Sequence, residues 1–387
     1  MKIAVVGLGY VGSSMVALLS QKFQVHAVDL DPKRVALVKK GMSPVHDPLI
    51  SEFLTKYSHN IRTGDDSGGT FQECSIAIVC TPTSYDPETN QFDLTSVDSV
   101  IKDAISSNPD MKIVIKSTIP IGYCKEARKR FDHEGIYFSP EFLREGSSLH
   151  DNLYPSRIIV GDSGDFGNTF SKILTDCAHG ANIPVLLTDP SEAECIKLFA
   201  NSYLAMRVGF MNELDNFALH FGLEAKSIID GVTLEPRIGD GYCNPSFGYG
   251  GYCFPKDTKQ LKAQCVDIAT PIIDAIVETN DARIDILVKE IVENYKGCTV
   301  GFYRLLMKSG SDNIRDSASS KLMERIKFFG VNTIVFEPLL KQDSLDEAVT
   351  TFDEFVDKAG VIVCNRVDDI LLNIEKPIFT RDLYGDN

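Results

Sequence analysis

The chain has 387 residues, with 54 acidic and 39 basic side chains and a formal net charge of -15. This charge argues against nucleic acid or an anionic membrane as a general partner, although a small anion could bind at local lysines, arginines and helix N-termini. The ten cysteines are scattered, without the spacing of a zinc site or a disulfide framework. With a strand at its start and no apolar run that could span a bilayer, we expect a cytoplasmic protein without a metal.

The N-terminal segment has the sequence pattern of a dinucleotide-binding βαβ unit. A β-branched strand leads into a GxGxxG run and a helical segment, and a second strand ends in an acidic residue. The pieces are strand 2–6, Gly7-Leu-Gly-Tyr-Val-Gly12, helix 13–20, strand 25–28 and Asp29. This context predicts a bound dinucleotide rather than a merely glycine-rich turn.

The glycines and the acidic residue each have an expected role. Gly7 would make the tight turn, Gly9 would let the pyrophosphate approach the backbone, and Gly12 would permit close packing of helix and strand. The helix N-terminus would face the phosphates. Asp29 could accept hydrogen bonds from the ribose hydroxyls and would repel a 2′-phosphate, so NAD is favoured over NADP, although Arg34 nearby leaves NADP open.

Further predicted strands, which read as buried, extend the parallel α/β sheet beyond the βαβ unit. Ligands of open α/β sheets bind at the carboxyl ends of the strands, so Thr83 and Thr118 are expected beside the cofactor; the alternative is that their hydroxyls cap the next helices. Glu141 and Glu145 follow a third strand and could act as acid and base, or could form a solvated helix face. The predicted strands are 75–80, 113–116, 136–138, 157–160 and 184–187.

A long helix is predicted from residue 191, where Ser191 and Glu194 resemble a capping box, to about Gly222. Such a helix often joins two domains and forms a dimer surface. Lys197 and Asn201 lie at i and i+4 and therefore on one face. The lysine could contact a phosphate or carbonyl of a substrate, or its stem could simply cover apolar surface.

The run Phe247-Gly-Tyr-Gly-Gly-Tyr-Cys253-Phe-Pro-Lys-Asp-Thr258 carries the most reactive-looking side chain. Pro255 favours an extended residue before it, so we expect a helix from Asp257 with Cys253 on the turn that enters it. There, with Lys256 nearby, the thiol pKa should be lowered. The alternative is an ordinary buried cysteine.

A thiolate next to NAD has a definite chemical use. It can add to an aldehyde, and the resulting hemithioacetal can lose a hydride to give a thioester, which water hydrolyses to an acid. Cys253 with NAD therefore predicts an aldehyde dehydrogenase, or an enzyme that oxidises an alcohol twice to a carboxylate.

The C-terminal part predicts a second α/β winding without GxGxxG. Its first loop holds Arg304, Lys308, Ser309, Ser311 and Arg315, which suit phosphates, or form a solvated turn. We predict an α/β fold of two Rossmann-like, doubly wound parallel-sheet domains joined by a long central helix, with boundaries 1–190, 191–294 and 295–387. The predicted elements are helices 224–231, 257–266, 272–295, 316–330 and 353–359 and strands 298–303, 333–336, 360–364 and 378–380.

Taken together, these motifs resemble the UDP-glucose/GDP-mannose dehydrogenase family of nucleotide-sugar dehydrogenases, in its short bacterial form, over essentially the whole chain. The matching runs are 7–12, 117–122, 139–146, 194–201, 244–258 and 303–315. The resemblance implies two consecutive oxidations of the sugar C6 by two NAD, from UDP-glucose to UDP-glucuronate.

The resemblance also implies roles for individual residues. Cys253 would be the nucleophile, and its helpers would stabilise the oxyanion, position the base or hold the water. The implied catalytic set is Cys253, Lys197, Asn201, Asp257, Glu141 and Thr118. The implied NAD-binding set is Gly7, Gly9, Tyr10, Val11, Gly12, Asp29, Arg34, Thr83, Thr118, Glu145, Lys256 and Arg315. The implied substrate-binding set is Glu141, Phe142, Leu143, Arg144, Glu145, Lys197, Asn201, Arg237, Tyr242, Cys243, Asn244, Pro245, Ser246, Gly250 and Lys308.

The resemblance implies a homodimer formed through the central helix, in which Arg237 would reach the substrate of the partner subunit. Tyr252 and Lys256 favour UDP-glucose over N-acetylated sugars, and GDP-mannose is the alternative substrate. An alternative that is not an enzyme is a protein that only senses sugar nucleotides. Such a protein would be expected to have lost Cys253, Lys197 or Asp257, and all three are present.

Overall fold

The computed structural model describes residues 1–64, 67–251, 253–305, 317–338, 349 and 351–385. These residues form two compact units, Met1–Phe199 and Ala200–Asn387. Each unit contains a parallel sheet with helices, which confirms the predicted fold class. The finer division at 190 and 294 stays a prediction. Within the described ranges, no helix combines the length and apolarity needed to cross a membrane.

The first unit is built on a six-stranded parallel sheet. Its described strands are β1 (Lys2–Val6), β2 (Gln24–Val28), β3 (Ile61–Gly64), β4 (Ile76–Val79), β5 (Tyr85–Asp86), β6 (Gln91–Phe92), β7 (Lys112–Ile115), β8 (Ile136–Phe138), β9 (Ile158–Val160) and β10 (Val185–Leu187). The sheet order is β3-β2-β1-β4-β7-β8, and every neighbouring pair is parallel. The predicted strands at 157–160 and 184–187 form, but they pair with each other as β9 and β10 outside this sheet.

Both faces of the sheet are covered. In β1, Ile3 and Val5 belong to one buried cluster, and Ala4 and Val6 belong to another. A strand buried on both faces reads as a continuous apolar run, which is why β1 was recognisable. The helices of this unit are α1 (Tyr10–Ser20), α2 (Pro32–Lys39), α3 (Pro48–Lys56), α4 (Ser67–Glu73), α5 (Thr95–Ser107), α6 (Tyr123–Phe131), α7 (Ser148–Leu153) and α8 (Asp165–Cys177).

The sequence did not predict β3 or the antiparallel hairpin of β5 and β6. The edge strand β3 has the sequence Ile-Arg-Thr-Gly, and none of its residues is fully buried. Since only one side of an edge strand pairs and its side chains remain partly exposed, no apolar pattern marks it.

The long helix α9 (Pro190–Phe221) ends where predicted. Gly222 has φ +64°, the left-handed conformation that glycine adopts after a helix end. The capping box was wrong, because the fully buried Glu194 instead binds the start of α6. Its carboxylate accepts hydrogen bonds from the backbone N–H groups of Gly122 at 2.5 Å and Cys124 at 2.9 Å. Burial raises the pKa of the Glu194 carboxyl.

The second unit contains a four-stranded parallel sheet. Its elements are α10 (Ala225–Thr233), α11 (Cys253–Gln264), α12 (Pro271–Asn294), β11 (Val300–Tyr303), α13 (Ala318–Phe328), β12 (Thr333–Phe336), α14 (Phe352–Lys358), β13 (Val361–Val363) and β14 (Ile378–Phe379). The order is β12-β11-β13-β14, and all three pairs are parallel. The predicted strands are confirmed to within two residues at each end.

Candidate active site

The glycine run joins β1 to α1 in the predicted way. Gly7 has φ +94°, and Gly9 is the N-cap of α1. A Cβ atom on Gly12 would lie 1.7 Å from the carbonyl oxygen of Gly7, so α1 can approach β1 this closely only with glycine. A Cβ on Gly9 would meet no described atom within 4 Å, which leaves open space in front of the turn. This open turn at a helix N-terminus fits a pyrophosphate.

Asp29 lies at the end of β2 and is tied to the glycine turn. Its Oδ2 accepts a hydrogen bond from the backbone N–H of Leu8 at 2.6 Å, and its Oδ1 accepts one from Asp31 at 2.8 Å. A guanidinium nitrogen of Arg34 lies 3.8 Å from Oδ2. The carboxylate is thereby fixed beside the turn, where the ribose of a dinucleotide would be expected.

Thr83 and Thr118 are buried at the carboxyl ends of β4 and β7. Neither caps the following helix, because α5 has Leu94 and α6 has Gly122 at the N-cap. A third hydroxyl, Thr81 Oγ1, is buried without a hydrogen-bond partner in the described part of the chain.

Such an unpaired hydroxyl is unfavourable unless a ligand or water binds it. Together with the open turn and the fixed aspartate, it fits a dinucleotide. Thr81 was not among the predicted site residues, although it lies two residues before Thr83 at the end of the predicted strand 75–80.

Lys197 and Glu141 form a buried ion pair. The ammonium donates to the backbone carbonyl of Glu141 at 2.8 Å and to its Oε1 at 2.9 Å. The two side chains are 4% and 9% exposed, so Lys197 does not extend into solvent. Glu141 Oε2 is buried and has no hydrogen-bond partner among the described residues. This oxygen could accept a hydrogen bond from a water or a substrate hydroxyl.

A small polar cavity lies beside Glu141, and a second buried lysine lines it. Lys116 is 4% exposed, and its ammonium donates to the carbonyl of Ser139 at 3.2 Å and to its hydroxyl at 3.4 Å. Burial lowers the pKa of Lys116, and the charge of Glu141 opposes this shift. Lys116 was not predicted as a site residue, because one lysine in an apolar strand has no spacing signature. The lining residues are Leu18, Lys116, Ser139, Pro140, Glu141, Phe142, Asp151, Asn152, Pro155, Ser156, Arg157, Ile158, Ile159 and Leu174.

The segment after Glu141 makes structural contacts as well. Arg144 is exposed, and its guanidinium donates to Asp151 Oδ1 at 2.8 Å. Burial alone would raise the pKa of Asp151, but hydrogen bonds from the side chain and backbone of Arg144 lower it. The guanidinium of Arg157 lies 3.8 Å from the ring centre of Phe142. Leu143 and Glu145 are half-buried.

In the second unit, Asp257 is completely buried between two predicted site residues. The amide nitrogen of Asn201 donates to its Oδ2 at 2.6 Å, and the ammonium of Lys256 donates to its Oδ1 at 2.9 Å. Asn201 is 6% exposed and Lys256 is 4% exposed. We expected Lys256 at NAD, and the structure places its ammonium on this aspartate.

Cys253 is the first residue of α11, so the predicted start at Asp257 was one turn late. Pro255 is compatible with the first turn because the N–H that proline lacks has no intrahelical partner there. Cys253 is half-buried at the helix N-terminus. The lowered pKa of its thiol stays a prediction.

The loop before α11 holds seven of the fifteen predicted substrate residues. Tyr242 has φ +60° and is exposed, whereas Pro245 and Ser246 are buried and Cys243, Asn244 and Gly250 are half-buried. Arg237 is 87% exposed and forms an ion pair with Glu235. The predicted residues Lys308, Ser309, Ser311, Arg315 and Tyr252 lie outside the described residues.

Comparison with known proteins identifies relatives over the whole chain. Residues 1–173 match the NAD binding domain of the UDP-glucose/GDP-mannose dehydrogenase family, and residues 191–282 match its central domain. The chain is 43% identical to a UDP-glucose 6-dehydrogenase of Streptococcus pneumoniae, with 100% of both chains covered. It is 40% identical to that of Campylobacter jejuni, with 99% of both covered. The solved structure of a UDP-glucose dehydrogenase from Pyrobaculum islandicum has the same fold, with a TM-score of 0.90, 23% identity, and 99% and 95% coverage.

Proposed function

Because the chain belongs to the UDP-glucose/GDP-mannose dehydrogenase family, we propose that it oxidises UDP-glucose to UDP-glucuronate with two NAD and one water. The observation that carries this proposal is the match to UDP-glucose 6-dehydrogenases over the entire length of both chains. The reaction removes two hydrides from C6 and releases two NADH and three protons.

NAD is the cofactor, and the first unit holds the residues for it. Gly7, Gly9 and Gly12 would shape the turn for the pyrophosphate, and Asp29 would accept hydrogen bonds from a ribose. Thr81 and Thr83 follow β4 and Thr118 follows β7, at the carboxyl end of the same parallel sheet. When bound, NAD would supply the hydride acceptor for each oxidation.

The thiol of Cys253 accounts for the second oxidation. Its sulfur adds to C6 of the aldehyde, and the thiohemiacetal loses a hydride and a proton to become a thioester. A water then attacks the carbonyl carbon, and the carbon–sulfur bond breaks to release the carboxylate and the thiol. Lys197 and Asn201, one turn apart on α9, stabilise negative charge on the C6 oxygen.

Two carboxylates assist in different ways. Glu141 holds the attacking water through its unpaired Oε2, with Lys197 fixing the other oxygen. Asp257, with both oxygens bound by Asn201 and Lys256, orients those two side chains.

We further propose a homodimer formed through α9. Tyr203, Phe210, Phe217 and Phe221 are 56–60% exposed, and their spacing places them on one face of the helix. A contiguous apolar stripe of this kind is typical of a protein interface. Phe210→Asp should shift the molar mass in solution from dimer to monomer, whereas Lys289→Glu, an exposed position on α12, should not. The exposed Arg237 would then reach the partner subunit's substrate.

The proposed location is the cytoplasm, and the thiols of Cys74, Cys124 and Cys364, buried and free, fit a reducing compartment.

The first experiment measures NADH formation with UDP-glucose, GDP-mannose and UDP-N-acetyl sugars in parallel. We expect two NADH for each UDP-glucose and no turnover by Cys253→Ala, with a covalent sugar adduct trapped on Cys253→Ser. Turnover with GDP-mannose alone would show that the proposed substrate is wrong, but it would leave the proposed oxidation through a thioester on Cys253 intact. No turnover with any sugar nucleotide, while NAD still binds, would instead indicate the sensor.

A further inference from the structure

The loop 244–249, between α10 and α11, is held through its main chain by side chains from elsewhere in the second unit. The backbone N–H of Ser246 donates to Asn212 Oδ1 at 2.9 Å, and the Ser246 carbonyl accepts from Arg283 Nε at 3.1 Å. The backbone N–H of Phe247 donates to Asn365 Oδ1 at 2.9 Å. Because these bonds act on the main chain, they fix the path of the loop.

Asn280 of α12 fixes the other end of the loop. Its Oδ1 accepts from the backbone N–H of Tyr249 at 2.8 Å, and its amide nitrogen donates to the Tyr249 carbonyl at 3.0 Å. A Cβ on Gly248 would lie 2.8 Å from the same Oδ1, so the amide packs directly against the backbone.

A buried carboxylate connects this loop to the segment 380–385. Asp215 of α9 is completely buried and binds two guanidinium groups. Arg283 Nη2 donates to Asp215 Oδ2 at 2.5 Å, and Arg381 Nε donates to the same oxygen at 2.8 Å. A buried ion pair of this kind often adds no stability relative to apolar side chains, so stability alone does not account for it.

A second link runs through Asn244, at the start of the loop. Its amide nitrogen donates to Asp382 Oδ1 at 2.8 Å, and its carbonyl oxygen accepts from the backbone N–H of Leu383 at 3.1 Å. The other carboxylate oxygen of Asp382 accepts from the backbone N–H of Val367 at 3.1 Å. The side chain of Asn244 is therefore bound by segment 380–385.

We propose that Arg381 and Asp382 are positioning residues for binding of the nucleotide sugar. Through these two links they hold loop 244–249 in the conformation that receives the substrate. The inference rests on the proposed function, because that function assigns UDP-glucose to this loop. Residues that act only through the loop should change the KM for the sugar nucleotide and leave the NAD site unaffected.

Initial rates of the full chain against UDP-glucose and NAD test the proposal. We expect Arg381→Met and Asp382→Ala to raise the KM for UDP-glucose about tenfold, the effect of losing a charged hydrogen bond, with kcat and the KM for NAD near wild type. Arg381→Lys retains a charge and should be intermediate. Tyr384→Phe is the matched control in the same segment, since its hydroxyl donates to Asp230 rather than to the loop. An unchanged KM for UDP-glucose, or a fall in kcat with both KM values raised, would overturn the proposal.

Hydrogen–deuterium exchange without substrate separates this proposal from the proposed function. Amides of loop 244–249 should exchange faster in Arg381→Met than in the wild type or Tyr384→Phe. That result would support the positioning role even if the wild type failed to oxidise UDP-glucose. Equal exchange in all three proteins would contradict it even if UDP-glucose were the substrate.

Discussion

Lys197 binds one carboxylate oxygen of Glu141 at 2.9 Å and leaves the other buried without a partner in the described part of the chain. A buried acceptor without a hydrogen bond is unfavourable by about 1–3 kcal/mol. The arrangement therefore favours occupation of that position by a water or a hydroxyl. In a thioester hydrolysis, this position would hold the attacking water.

Glu141→Gln should reduce kcat by about 100-fold or more, the usual range for loss of a group that acts on a proton. NAD affinity should not change, because Glu141 is not expected to contact NAD. Steady-state rates and NAD titration measure the two quantities. Glu192→Gln, on the exposed first turn of α9, is the control. Wild-type kcat in Glu141→Gln would rule out the water-holding role.

Asp257→Asn should lower the free energy of unfolding by about 3 kcal/mol, because it leaves the ammonium of Lys256 buried without its counter-charge. The control is Asp274→Asn, which removes an exposed ion pair with Lys262 and should change the free energy by less than about 1 kcal/mol. Urea denaturation at neutral pH measures both. Equal effects in the two variants would show that the burial of Asp257 has no energetic consequence.

Comparing the wild type with Lys116→Met should show how the buried lysine makes the free energy of unfolding depend on pH. Burial lowers the pKa of Lys116 below its usual 10.5, so the unfolded chain binds more protons between the lowered pKa and 10.5. The stability of the wild type relative to Lys116→Met should therefore rise as the pH increases through that window. Urea denaturation of both proteins from pH 7 to pH 10 gives the difference, and a difference that falls with pH would contradict the expectation.

Two glycines of the N-terminal turn should respond differently to the same added methyl group. Gly12→Ala places Cβ against the Gly7 carbonyl and should destabilise the protein by about 3 kcal/mol. In Gly9→Ala the added Cβ lies in open space, so the melting temperature should not change. The affinity for NAD should fall about tenfold, because this Cβ occupies the expected position of the pyrophosphate. Thermal melting and NAD titration distinguish them. Normal NAD affinity in Gly9→Ala would place the pyrophosphate elsewhere.

The features that were predictable from sequence are those encoded by neighbouring residues. The glycine turn, the buried strands such as β1, and the end of α9 at Gly222 depend on local backbone chemistry. The same holds for Lys197 and Asn201, whose shared face follows from helical spacing.

The features that were missed depend on partners far along the chain. Glu194 has the spacing of a capping box, yet its partners lie at Gly122 and Cys124. The predicted start of α11 was one turn late. Proline disfavours helical geometry in the residue before it, which argued against a helix at Phe254. Proline is nevertheless tolerated in the first turn of a helix, which is where Pro255 lies. Asp215 reads as an ordinary helix carboxylate, and only the fold brings Arg283 and Arg381 to it.

The bonds of Glu194 to α6 have a geometric consequence for Lys197. Residues three apart on an α-helix point in nearly the same direction, since each residue turns the chain by about 100°. By binding the first turn of α6, Glu194 fixes the rotation of α9 about its own axis. That rotation sets the direction in which the side chain of Lys197 projects from α9. Glu194 takes no part in the proposed reaction, but in this way it orients Lys197 toward Glu141.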